Sequence, residues 1–274
     1  MSQDSAVEDI VVEVTGGVAR VRLNRPAAAN ALHEPMWFAL RDTMRALDAD
    51  PAVRVVVISG NGRHFCSGID VSMLAGLEAT AADPSPGHGA DRLRRTILDL
   101  QDCLTAVERC RVPVIAAVQG ACVGAGLDLA VACDLRHATA DASFVLKEVD
   151  MGLAADVGVL QRLPRIVGEG VARELAYTCR PVSGNEAASL RLVNGVHPDA
   201  DALEAAVSGL AADLAAKSPL ALRGTKHAIT YARDHSVADG LEQIATWNAG
   251  ALISADLREA VAAFTEKRPA VHRD

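Results

Sequence analysis

The sequence predicts an α/β chain in which strand–helix repeats are capped by a layer of helices. Three observations lead there. Short apolar runs of strand character are confined to the first 150 residues. Beyond residue 156 nearly everything carries helical periodicity. Two glycine-rich loops, at 60–68 and 120–126, each join an apolar strand to a helix.

A hairpin opens the chain. Residues 10–14 and 18–23 flank Thr15-Gly-Gly17, the second arm alternates apolar residues with arginine, and Asn24-Arg-Pro26 stops it. Met36, Leu40, Met44 and Leu47 recur at helical spacing, so a helix is expected over 34–47, ended by Asp50-Pro51. Residues 53–59 read as a buried strand leading into the loop 60–68. The stretch 78–90, rich in Ala, Pro, Gly and Asp, reads as a flexible loop, and a long helix over 91–109 follows it. Next come a strand over 112–118, a glycine turn, a helix over 124–133, and a second ββ pair at 135–139 and 143–149. Helices are expected over 156–167, 169–178, 184–192, 199–217, 220–232, 236–252 and 254–266. No repeat supports a solenoid.

Composition narrows the function. The 274 residues are 50% hydrophobic and 23% charged, an ordinary globular balance with ample length for one large core. Twenty-seven Lys and Arg against thirty-five Asp and Glu give a net charge of −8, and aromatics are only 3%. Charge and aromatic content therefore both oppose a nucleic-acid partner. Residues 112–133 are long and apolar enough to raise the question of a membrane span. They contain Pro113, three glycines and Asp128, and a mid-membrane Asp costs about 2.5–3.5 kcal/mol, which weak Ala-rich apolarity does not offset. A buried strand, turn and helix fit better. Cysteines 66, 103, 110, 122, 133 and 179 show no C-x-x-C spacing, and no His cluster sits at a zinc interval, so they read as buried hydrophobes and no metal site is expected. The polar, acidic residues 1–8 and the terminal His-Arg-Asp carry no targeting signal, and the cytoplasm is the expected compartment.

The chemistry-bearing residues gather at the glycine turns. Phe65-Cys-Ser-Gly-Ile-Asp70 joins a strand to a helix, where backbone N–H groups are free to meet an anion or oxyanion, and Gly68 allows close approach. Taken alone, the loop is equally an ordinary turn with Asp70 as helix N-cap. His64 and Cys66 alternate on one side of it, a conceivable nucleophile pair without an orienting acid. Val118-Gln-Gly-Ala-Cys-Val-Gly-Ala-Gly-Leu-Asp-Leu129 offers a second free N–H. Its Leu129 stands where a dinucleotide fingerprint needs glycine, so nicotinamide binding is weakly supported. Asp128 lies in the first helical turn, either as a carboxylate stabilised by the helix dipole or as a buried acid of raised pKa. Glu148 and Asp156 flank an apolar loop, and read singly as a strand-end charge and a helix N-cap. Three acids beside two glycine turns make a better acid–base set than any one alone.

Phe65-Cys-Ser-Gly-Ile-Asp70, the strand Pro113-Val-Ile-Ala-Ala-Val118, Gly124-Ala-Gly126, Cys133-Asp134, Leu160-Gln-Arg-Leu-Pro164 and Phe264-Thr-Glu-Lys-Arg268 resemble, in order, the crotonase or enoyl-CoA hydratase/isomerase superfamily. The resemblance covers nearly the whole chain. It implies a spiral of ββα repeats over 1–200, which carries the active site. It also implies a helical C-terminal region, 201–274, that forms trimers, often paired into hexamers. Lys147-Glu-Val-Asp-Met-Gly-Leu-Ala-Ala-Asp-Val-Gly158, Glu108-Arg-Cys110 and Tyr231-Ala-Arg-Asp-His-Ser-Val237 look most like the dienoyl-CoA isomerases of that superfamily.

By position, Asp128, Glu148 and Asp156 then match three acidic active-site residues. Hydratases of the superfamily resemble the chain at Glu148, but carry glutamate at position 128 and glycine at 156. The resemblance implies backbone oxyanion donors at Ser67 and Ala125, the latter a departure from the usual glycine. It implies CoA contacts at Arg25, Ser67, Gly68, Ile69, Asp70, Gly126, Phe264 and Lys267, the last two across a subunit boundary. The expected activity is isomerisation of 3,5-dienoyl-CoA to 2,4-dienoyl-CoA by proton transfer, with the CoA thioester as substrate and no metal or redox cofactor. The alternatives are an enoyl-CoA hydratase or other acyl-CoA isomerase using Glu148, and a non-catalytic acyl-CoA-binding protein.

Overall fold

The opening hairpin, β1 (Ile10–Thr15) and β2 (Val18–Leu23), turns through Gly16 and Gly17, both at positive φ, and leads to α1 (Glu34–Ala49) and β3 (Val55–Gly60). The computed structural model describes residues 8–272; residues 1–7 of the polar N-terminal segment and Arg273-Asp274 of the terminal tripeptide lie outside the described residues. After β3 come α2 (Ser72–Ala81), α3 (Pro86–Arg109), β4 (Val114–Val118), β5 (Ala121–Val123), α4 (Ala125–Ala132), β6 (Leu135–Thr139) and β7 (Ser143–Val145). A 3-10 turn, Glu148–Met151, precedes α5 (Val159–Val167), α6 (Glu169–Thr178), β8 (Val182–Ser183), α7 (Gly184–Ser189) and β9 (Gly195–His197). The chain closes with α8 (Ala200–Ala215), α9 (Pro219–Tyr231), α10 (Val237–Ala251) and α11 (Ala255–Glu266).

The larger sheet has the order β1-β2-β3-β4-β6-β9, parallel except for the hairpin, and β5-β7-β8 form a second, smaller sheet. Successive strands of a repeat therefore enter different sheets: β4 and β5, then β6 and β7. A parallel bridge between Cys66 and Cys122 brings the 60–68 loop beside the smaller sheet as the first turn of the same spiral. Alternation along β3 builds two cores, as a sheet covered on both faces requires. Val56 and Ile58 face the main core with Met36, Trp37, Leu40, Leu104 and Val107 of α1 and α3. Val55 and Val57 face the other way, where Leu203, Val207, Ala211 and Ala215 of α8 cover them. All six cysteines are buried and free.

Several expectations are corrected. Strands are not confined to the first 150 residues: β8 and β9 add to the two sheets, each too short to leave a periodic signal. The segments 135–139 and 143–149 are not a pair. β6 joins the larger sheet and β7 the smaller, and β7 ends at Val145 so that Glu148 opens a 3-10 turn. The expected loop 78–90 is mostly helix. Asp70 Oδ1 accepts the Ser72 N–H at 3.0 Å to start α2, and Pro86, at the beginning of α3, carries that helix five residues further back than expected. α8, which spans position 200/201, covers the face of the larger sheet made by Val55, Val57, Ile115 and Ala117. The layer that stands apart begins at α9. There Trp247 stacks on His227 within the chain, whereas Val237, Leu241, Ile253, Val261 and Phe264 are exposed. No helix among the described residues is long and apolar enough to cross a membrane.

Candidate active site

The two glycine loops touch. Cys66 N–H donates to the Ala121 carbonyl at 3.0 Å, and Val123 N–H returns a bond to the Cys66 carbonyl at 3.0 Å. Gly68, at φ +108°, lies against the start of α4: a Cβ there would sit 3.0 Å from the Val123 carbonyl oxygen and 3.8 Å from the Ala125 nitrogen. Buried Asn30 locks the first loop from behind, donating to the Asn61 and His64 carbonyls at 3.0 and 2.7 Å. One expected donor is overturned. The Ser67 N–H is spent on the Ala29 carbonyl at 3.0 Å and is unavailable to an oxyanion. Among the described residues, the N–H groups of Gly68 and Ile69 in this loop, and of Ala125 and Gly126 at the start of α4, have no protein acceptor. Gly68 C=O and Asp70 N–H both bond Leu32, so the alternation of an extended segment turns the Ile69 N–H to the opposite side, where α4 begins. Gly126 packs its bare Cα against the Cys66 carbonyl; it serves close approach.

The three acids come together around these loops. Asp128 is fully buried; its Oδ1 accepts the Val159 N–H at 2.6 Å, and its Oδ2 has no partner. Burial first, and the neighbouring Glu148 second, push its carboxyl up to about 8, against the opposing pull of the Val159 N–H and Arg162. Glu148 is half-buried with Oε2 enclosed and unpartnered, and its Oε1 would lie 3.2 Å from a Cβ on Gly124, so that glycine, at φ +50°, makes its space. Burial raises its pKa, with Asp156 adding to the effect. Asp156 is exposed in the single chain, yet loss of surrounding water raises its carboxyl as well. Asp156 is not a helix cap: Gly158 precedes α5, and Asp128 supplies the capping oxygen to Val159. Asp156 is thus left without a structural task, in the electrostatic company of two other acids.

The remaining expected residues divide. Arg25 donates to Asp70 Oδ2 at 3.0 Å, and Asp70 is drawn down to about 2, first by the Ser72 hydroxyl and N–H and then by Arg25. These two hold the loop and each other. Phe264, 87% exposed, and Lys267, in the left-handed region at the end of α11, make no hydrogen bond or ion pair with the site in the single chain. His64 and Cys66 are not a nucleophile pair. His64 Nδ1 accepts the Ala121 N–H at 3.1 Å, and burial pushes the Cys66 thiol up to about 12.

Comparison with known proteins fits this geometry. The family model described as enoyl-CoA hydratase/isomerase matches residues 13–274. The chain belongs to the enoyl-CoA hydratase/isomerase family. Among family members it is 43% identical over 269 residues to the peroxisomal Delta(3,5)-Delta(2,4)-dienoyl-CoA isomerase of Arabidopsis thaliana, covering 98% of this chain and 97% of that protein. It is 43% identical over 252 residues to the mitochondrial Delta(3,5)-Delta(2,4)-dienoyl-CoA isomerase of Mus musculus, covering 92% of this chain and 77% of that one. The crystal structure of a putative enoyl-CoA hydratase from Streptomyces coelicolor A3(2) superposes with a TM-score of 0.89 at 35% identity, covering 100% of this chain and 99% of that chain.

In this family member, sequence reasoning missed the supports of the site. Gln101 of α3 donates to the Asp156 carbonyl at 2.6 Å, and Arg162 of α5 reaches toward the Val157 carbonyl at 3.4 Å. Asn30 and Gly124 act equally at a distance in sequence. Only Gly124, as the first member of a G-x-G turn, left a signal.

Proposed function

We propose that this chain isomerises 3,5-dienoyl-CoA to 2,4-dienoyl-CoA in fatty acid β-oxidation. The observation that carries the reading is the uncommitted carboxyl of Asp156 beside buried Asp128 and half-buried Glu148. The thioester carbonyl lies between the Ile69 and Ala125 N–H groups, which stabilise the oxyanion as it forms. The C2–H is acidified by the thioester and gives its proton to Asp156. The electron pair shifts through the diene, and Glu148 delivers a proton to C6. One proton leaves C2, one arrives at C6, and both double bonds move by one position with the formula unchanged. Asp128 and Glu148 titrate as a coupled pair, and the proton that the pair keeps is the one Glu148 delivers.

Every step is a proton transfer, so the scheme calls for no metal or redox cofactor, and CoA enters as part of the substrate. Gly68 and Ile69 face the thioester, Arg25 and Asp70 hold their loop, and Phe264 and Lys267 reach the CoA of a neighbouring copy in a homotrimer, single or paired as a hexamer. The exposed apolar residues of α10 and α11 support that assembly. The proposed partners are thus acyl-CoA and further copies of the chain, with neither nucleic acid nor membrane, and the proposed compartment is the cytoplasm, although the two relatives above are named peroxisomal and mitochondrial.

Asp156→Asn tests the reading. The change keeps shape and removes the proton acceptor, so dienoyl-CoA isomerisation falls by about 10²–10⁴-fold while acyl-CoA binding is retained. Wild-type turnover by the folded variant, or a wild-type protein that hydrates crotonyl-CoA and leaves 3,5-dienoyl-CoA untouched, defeats the proposal in favour of a hydratase.

A further inference from the structure

The segment 156–158, which carries the proposed base, packs into the main core through Val157 alone of its three residues. Val157 and Gly158 line a cavity of about 780 Å³ between α3, α5 and α9. Polar ties add to that packing. Gln101 holds the Asp156 carbonyl, the Val159 N–H is held by Asp128, and Arg162 crosses the gap between them. The Arg162 guanidinium folds back over Gly158, whose φ of +127° and bare Cα leave the space that any Cβ would block. Its Nη2 donates to Glu108 Oε2 at 3.0 Å, and Nε is buried without a partner. Glu108 is bound in turn by Arg233 from the segment after α9, so one carboxylate anchors two guanidinium groups.

We propose that Arg162 is the positioning residue of this site: anchored by Glu108, it fixes the 156–158 segment that carries Asp156 and sets a positive charge behind buried Asp128. The inference rests on the isomerase reading. The charge draws the Asp128 carboxyl down against its burial, so the cation limits how far that acid is raised. The other charged groups around the cavity are already matched. Arg165 pairs with Asp234, Asp134 with Lys226, and Arg136 donates to the Cys133 and Leu192 carbonyls. Among the described residues, Arg162 is thus the cation that faces both Glu108 and Asp128, and Lys is a poor substitute for its planar, multi-donor reach.

The test compares wild type with Arg162→Gln, Arg162→Lys and Glu108→Gln in kcat, KM and pH profile on 3,5-dienoyl-CoA, with thermal melting beside them. Arg162→Gln lowers kcat by about 10- to 100-fold with KM within about twofold, as expected when reacting groups are misplaced. It also moves the alkaline limb of the profile up by about one pH unit, because loss of the cation favours protonated Asp128. Arg162→Lys returns the limb to its wild-type position and restores kcat only in part. Glu108→Gln lowers kcat to an intermediate level by freeing Arg162. Wild-type kcat and limb in folded Arg162→Gln overturn the proposal, as does a Lys variant whose limb stays with the Gln variant. Infrared titration of the Asp128 carboxyl, which needs no turnover, separates this inference from the isomerase reading. A midpoint unmoved by Arg162→Gln defeats the role of Arg162 whatever the substrate, whereas a midpoint raised by Arg162→Gln, found together with a wild-type protein inactive on dienoyl-CoA, upholds the charge effect and defeats only the isomerase.

Discussion

Replacing Asp128 by Asn should stabilise the fold, and by an amount that depends on pH. The carboxyl is fully buried, one oxygen accepts the Val159 N–H at 2.6 Å and the other has no partner. Its pKa rises from 3.8 in the open chain to about 8 in the folded one. Between those values the folded state holds a proton that the unfolded chain has released, so stability falls as pH rises, by about 1.4 kcal/mol for each pH unit, and levels off above the folded value. At pH 7, roughly three units above the open-chain value, keeping Asp128 protonated costs on the order of 4 kcal/mol. Asn keeps the acceptor for Val159 and cannot ionise, so the variant recovers that cost. The gain corresponds to roughly 10 °C in melting temperature at pH 7 for a chain of this size, shrinking to nearly nothing by pH 4. Isomerisation slows in the same variant, because Glu148 loses its proton-holding neighbour. Thermal melts of both proteins from pH 4 to 9 check the claim. A difference that does not vary with pH, or a variant less stable than wild type at pH 8, refutes the reasoning.

Two further outcomes are expected. Ala125 is the first residue of α4, a position that proline occupies without strain, so Ala125→Pro deletes one N–H donor while keeping the helix start; kcat on dienoyl-CoA falls by about 10²–10³-fold with circular dichroism unchanged. Sedimentation at micromolar concentration gives a trimer or hexamer, and Phe264→Glu, on an 87% exposed side chain, shifts it toward monomer; a wild-type monomer defeats the assembly.

How far the sequence could be read depended on the range of the interaction involved. β3 and β4 were legible because both faces are covered, leaving unbroken apolar runs such as Val55-Val-Val-Ile58. β5, β8 and β9 were not, since two or three residues carry no period. α2 hid in a segment of loop-like composition because its start depends on Asp70 in the preceding turn. At the site, residue type sufficed for the three acids and the glycine turns. Which backbone N–H remains open did not follow from type: Ser67 and Ile69 look alike in sequence, and the Ala29 and Leu32 backbones decide between them. For the same reason the cap of α5 read as Asp156, its sequence neighbour, when Asp128 supplies it across a separation of 31 residues.

The central claim is a proton removed at C2 by one carboxyl and returned at C6 by another. Turnover of 3,5-dienoyl-CoA in deuterated water, followed by mass spectrometry and NMR of the 2,4-dienoyl-CoA, tests it most directly. Because Asp156 receives the C2 proton and Glu148 delivers one drawn from solvent, the product should carry one deuterium at C6, and Asp156→Asn should form almost none of it. Product whose C6 holds the proton that left C2 would contradict the account, since a single carboxyl would then have carried it.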